Sequence, residues 1–222
     1  MRDDRTTRML LACGVVGPIL FVVVAFAIGA VRPGYNAWHT YVSMLSLGEG
    51  GWLQATNFLV AGALLIAFAA GRYRRGDGWP AILVGVMGAG LGLQGVFAAD
   101  AGLGYPPGAP DGVPSTQSTG SAVHYLLGFV AALAFVGTAV LIARSFGKDP
   151  RSTGWARYSA VSAVLSFGLF VAVVIAGSDG PTLQGLAGAI QRIWILVGFT
   201  WLSLLALRSL RERGVSRITS GK

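Results

Sequence analysis

The sequence predicts an all-α integral membrane bundle of six transmembrane helices, and three observations carry that prediction. Apolar stretches at 9–30, 51–71, 80–99, 122–143, 158–177 and 188–207 each hold about twenty residues, the length a helix needs to cross a hydrocarbon core of roughly 30 Å. Lys and Arg alternate between successive connections. No connection is long enough for a soluble module, so residues 1–222 read as a single domain.

The alternation sets an expected orientation. The N-terminal segment carries Arg2, Arg5 and Arg8, and the connection after span two carries Arg72, Arg74 and Arg75. Arg144, Lys148, Arg151 and Arg157 follow span four, and Arg208, Arg211, Arg213, Arg217 and Lys222 follow span six. These segments hold 15 of the 17 basic residues and share one side only if there are six spans. The positive-inside rule then makes both termini cytoplasmic in a cell-membrane protein. The net charge of +8 sits in short clusters beside spans, without aromatic interleaving or a basic helix face. That excludes a nucleic-acid partner and points instead to topogenic anchoring and membrane lipids.

Taken in order, span one holds Gly14, Gly17 and Pro18, which predict close packing and a kink. Its basic start and Ala25-Phe26-Ala27 imitate a signal peptide, but the apolar run is too long for one, so it reads as a retained span. The single Cys13 excludes a disulfide within the chain. In the first outer connection Asn36, His39, Ser43 and Ser46 recur at helical spacing, predicting an amphipathic turn or short helix at the interface. It would turn the aromatic Trp38 and Tyr41 toward lipid and a His–Ser stripe toward the bundle, with Val42 and Leu45 off that stripe. Span three is crowded with Gly85, Gly88, Gly90, Gly92 and Gly95. The Gly88/Gly92 pair suits close helix approach and a central place in the bundle. The Gly- and Pro-rich stretch 102–115 reads as a mobile lid or spacer. His124 opens span four, and Ser159, Ser162 and Ser166 line one side of span five, suited to hydrogen bonds between helices. Span six carries the only intramembrane charge, Arg192, on the side of Gly185 and Gly188, which predicts an inward guanidinium meeting Asp100 or Asp179.

Both histidines and four of the nine acidic residues fall on the outer side. His39, Ser43, Ser46, Asp100, His124 and Arg192 are therefore the candidate ligand-binding residues of one outward-facing polar pocket. An inward Arg192 suits a phosphate or carboxylate group.

The residues Gly14-Val-Val-Gly-Pro18, Pro33-Gly-Tyr-Asn36 with His39, Ser43-Met-Leu-Ser-Leu-Gly48, Phe97-Ala-Ala-Asp100 and His124 carry a resemblance. The chain resembles the prokaryotic six-span membrane proteins known only as domain of unknown function nine hundred and ninety-eight. That resemblance implies the six-helix fold and no reaction. In residue types the chain is also similar to alkaline-ceramidase-like membrane hydrolases. This similarity makes His39, Ser43, Asp100 and His124 the candidate catalytic residues, and His39, Asp100 and His124 the candidate zinc ligands, since catalytic zinc uses three protein ligands plus water. Two histidines in total exclude a three-His site. A serine mechanism would pair Ser43 with His39, oriented by Asp100 or Glu49.

The leading expectation is binding of a lipid or small amphiphile at the outer pocket. A metal- or serine-dependent hydrolase using the same residues is the alternative, and a structural subunit of a membrane complex is third. The topology has a direct check. Reporter fusions after Arg75, Lys148 and Lys222 are expected to report cytoplasm and one at Asp111 the outside; an outside signal at Lys222 would refute six spans.

Overall fold

The computed structural model describes residues 2–178 and 183–212 and is helical, with no strand among the described residues. Among the described residues the six α-helices are α1 (Arg2–Val31), α2 (Trp52–Arg74), α3 (Trp79–Leu93), α4 (Thr119–Phe146), α5 (Thr153–Gly177) and α6 (Ala187–Arg211). Each packs on its neighbours in chain order and α6 returns to α1, closing a ring. Residues 32–51 and 94–118 lie at one end of the ring, here the cap end. The Arg-rich connections lie at the other, the basic end.

Five of these helices are long and apolar enough to cross a membrane. The exception is α3, whose 15 residues stop at Leu93, short of the expected span to 99. Its last residues tighten, with Gly95 N–H donating to the Gly92 carbonyl and Val96 N–H to that of Leu93. The chain turns there against α2: a Cβ on Gly95 would lie 2.5 Å from the Ala55 carbonyl oxygen. Hydropathy counts these residues as apolar; the backbone contact ends the helix.

The glycines of α3 place it against α2 rather than at the centre of the bundle. A Cβ on Gly62 of α2 would lie 2.5 Å from the Gly92 nitrogen and 2.6 Å from the Gly88 carbonyl oxygen, so the backbones touch. Dispersion between touching helices replaces the burial from water that lipid cannot offer. On α1, a Cβ at Gly14 would strike the Phe68 ring, and the helix runs on through Pro18. Between α5 and α6, the Trp201 indole N–H donates to Ser159 Oγ (3.1 Å) and that of Trp194 to Ser166 Oγ (2.9 Å). Trp201 is fully buried and meets Phe135 edge-on at 5.3 Å.

At the basic end, charges also tie helices together. Arg72 pairs with Asp77 at 3.0 Å and donates to Ser209 Oγ on α6 at 2.9 Å. Arg208 lies over the Phe146 ring at 4.2 Å. Trp38, Trp52, Tyr73 and Trp79 are exposed at the two ends, as interfacial aromatic belts require.

The α2–α3 seam yields a stability test. Gly62→Ala is expected to cost about 1–3 kcal/mol through overpacking and to lower the thermal midpoint in detergent. Gly154→Ala, where an added Cβ meets nothing within 4 Å, is expected to leave it unchanged. Equal midpoints for the two variants would refute the close approach.

Candidate functional site

The first turn of an α-helix has N–H groups with no acceptor of their own, and at α6 the loop after α1 supplies acceptors. Gly188 N–H donates to the His39 carbonyl (3.1 Å) and Ala189 N–H to that of Trp38 (2.9 Å). Only glycine permits this approach, because a Cβ on Gly188 would lie 2.4 Å from the Thr40 carbonyl oxygen. One turn on, Arg192 Nη1 donates to the carbonyls of Ala37 (2.6 Å), Thr40 (3.1 Å) and Gly188 (3.0 Å), and Nη2 donates to the Tyr35 hydroxyl. That hydroxyl lies 3.1 Å from the carbonyls of both Thr40 and Tyr41. The neighbouring Gln191 uses Oε1 to accept from Val42 N–H at 2.7 Å.

So docked, the loop forms a 3₁₀ turn, Val42–Ser46, that enters the bundle. Tyr41, Val42, Met44 and Leu45 are buried, so the segment is a plug between helices and not an interfacial turn or short helix with Tyr41 toward lipid. The Tyr41 hydroxyl donates to the Val173 carbonyl on α5 at 2.6 Å, and Thr40 Oγ1 to that of Leu103 at 3.0 Å. Burial pushes the Tyr41 phenol above its ordinary range, which keeps it a donor. The stretch 102–115, read from sequence as a mobile lid or spacer, is irregular but packed over 102–113. Leu103 N–H donates to the Gly112 carbonyl, Gly104 N–H to that of Pro110, and Leu103 and Tyr105 are buried.

Beneath this cap lies a cavity of about 800 Å³, within the roughly 300–1,000 Å³ typical of small-molecule sites. Every helix contributes to its wall. Toward the basic end the lining is apolar, with Leu65, Met87 and Phe135, apart from Ser166, whose Oγ accepts from the Trp194 indole N–H. Ser43, Gln94, His124 and Gln191 line it near the cap end. Among the described residues no Asp, Glu, Lys or Arg lines it. It also reaches the outer surface of the ring between α4 and α5. Phe129, Val174 and Ile175 line it and are yet 45%, 57% and 53% exposed.

The expected polar site is thus redistributed. Ser43 and His124 share the cavity wall, and His124 Nδ1 donates to the Phe97 carbonyl at 2.7 Å. His39 lies in the cap, with Nε2 3.0 Å from the Asp111 carbonyl. Ser46 ends the 3₁₀ turn, its buried Oγ without a partner among the described residues. Asp100 accepts from the Ser118 hydroxyl (2.6 Å) and N–H (2.7 Å), while Ser118 Oγ accepts from Ser121 N–H and so caps α4. Those bonds hold the Asp100 carboxyl below its usual range, so the cap stays charged until the pH falls through that lowered value. Arg192 is turned to loop carbonyls, neither to Asp100 nor into the cavity; Asp179 lies outside the described residues. Among the described residues no three His, Cys, Asp or Glu side chains converge to hold a metal ion.

Gln94, Gln191 and the aromatic lining were not among the sequence candidates. An amide inside an apolar run is the signal that could have found them, because a polar group at membrane depth needs a partner. Tyr125 also lines the cavity, and its buried hydroxyl has no partner among the described residues.

Arg192→Leu would strand loop carbonyls at about 1–3 kcal/mol each. It is expected to lower the thermal midpoint more than Arg192→Lys, whose ammonium keeps the charge but not the fork of donors. An unchanged midpoint in Arg192→Leu would show that the clamp does not hold the cap.

No curated protein and no solved structure matches the chain. The family model described as "Protein of unknown function (DUF998)" matches residues 15–208, and the chain belongs to that family.

Proposed function

We propose that this chain is a six-span protein of the cell membrane, both termini cytoplasmic, that binds a lipid or other small amphiphile in the cavity beneath its cap. The apolar helices and the basic clusters at one end support the address. The place of α3 between α2 and α4 supports counting it as a sixth span.

The observation that carries the binding reading is the central cavity, apolar at its basic end and polar at its cap end. Those are the two environments an amphiphile needs. Membrane lipids are the nearest source of such molecules, and the exposed lining between α4 and α5 offers a route from the bilayer that avoids the packed cap.

The test fills the cavity. A Cβ on Gly198 meets only the Phe135 ring, from 3.7 Å, and one on Gly128 only Gln94 Oε1, at 3.7 Å. Gly198→Leu and Gly128→Leu therefore put their added carbons into the space without striking backbone. Wild type extracted in mild detergent is expected to carry about one lipid or amphiphile per chain, as a site of this size holds one small ligand. Both variants are expected to lose most of it at an unchanged thermal midpoint. Equal lipid content in all three, by mass spectrometry of organic extracts, would refute the reading.

A further inference from the structure

We infer that the cavity selects amphiphiles with an uncharged, hydroxyl-bearing head group; this rests on the cavity-binding reading above. Three observations lead there. First, among the described residues the wall carries no charged side chain. A phosphate, carboxylate or ammonium head would leave water without a counter-charge, and burying an unpaired ion is far more costly than burying a hydrogen-bonded neutral group. Second, the cation beside a lining residue is already occupied. Arg192 adjoins Gln191 in sequence, but its guanidinium serves the carbonyls of Ala37, Thr40 and Gly188 and the Tyr35 hydroxyl. An anionic head that captured it would release the cap.

Third, the polar groups that remain are neutral and of both kinds. Gln191 spends Oε1 on Val42 N–H, which leaves its NH₂ as a donor. Gln94 reaches the Gly90 carbonyl through Nε2 at 3.4 Å, which leaves its Oε1 as an acceptor. His124 uses Nδ1–H on the Phe97 carbonyl, so the neutral ring keeps Nε2 as an acceptor. The Tyr125 hydroxyl is buried without a partner among the described residues. A hydroxyl head can accept from the Gln191 NH₂ and the Tyr125 hydroxyl while its single O–H donates to one acceptor, Gln94 Oε1 or His124 Nε2. A head that only accepts would leave the acceptors unmet.

Depth agrees with a chain below that head. Met87 lies seven residues down α3 from Gln94, about 10 Å at the rise of an α-helix. Apolar lining continues over that distance.

The experiment measures binding of three probes of equal chain length, 1-dodecanol, dodecanoate and dodecyltrimethylammonium, to the full chain in zwitterionic nanodiscs. Gly198→Leu serves as the blocked cavity, and only binding lost in it counts. The alcohol is expected to bind at least ten-fold tighter than either ion. Gln191→Glu keeps an oxygen for Val42 N–H but adds a charge, and is expected to weaken the alcohol about ten-fold and favour the ammonium probe. An ion binding wild type as tightly as the alcohol would overturn the head-group inference while leaving the cavity reading intact, as would alcohol binding undiminished in Gln191→Glu. If Gly198→Leu removes no probe binding, the cavity reading itself falls, and the inference with it.

Discussion

Backbone carbonyls packed among helices outside regular structure need protein groups to answer them, and here α6 answers those of residues 37–40. Two N–H groups of its first turn and the fork of Arg192 take the carbonyls of Ala37, Trp38, His39 and Thr40 between them. The exchange is reciprocal, because the helix terminus also lacks acceptors. Gly188 is the residue that makes it possible, since any side chain there would meet the loop backbone. Once the loop is held, Tyr41 reaches α5, Thr40 reaches the second loop, and the 3₁₀ turn seats as a plug.

The rest of the architecture follows from where that plug stops. The helices contact their chain neighbours and close through α6 and α1, so a ring centre remains that the plug covers without filling. Small residues bring α2 and α3 together, whereas α4 and α5 keep lining residues that also face outward. One side of the ring is thus tight, and on the other residues that line the cavity are also exposed. The proposed binding of a lipid or amphiphile rests on a cavity bounded in this way.

Much of the fold was legible from sequence because apolar runs of helical length have few alternatives in a membrane. The end of α3 was not, since hydropathy does not register that Gly95 must touch Ala55. The site was legible only in part. The shared face of Asn36, His39, Ser43 and Ser46 presumed one continuous helix, whereas the 3₁₀ turn begins at Val42; His39 therefore faces Asp111 while Ser43 lines the cavity. Arg192 was matched with carboxylates because charges can be read from a sequence. Its partners are backbone carbonyls, which every residue carries and no pattern marks. Carbonyls also take the hydroxyls of Tyr35 and Tyr105 within the cap and that of Tyr41 on α5.

The most direct measurement is a high-resolution electron cryomicroscopy map of the full chain in lipid nanodiscs. The expected map shows Arg192 on the loop carbonyls and elongated non-protein density at the ring centre, its polar end at Gln191 and Gln94. A map with Arg192 turned out to lipid and the ring centre closed by helix packing would contradict both the clamp and the cavity it covers.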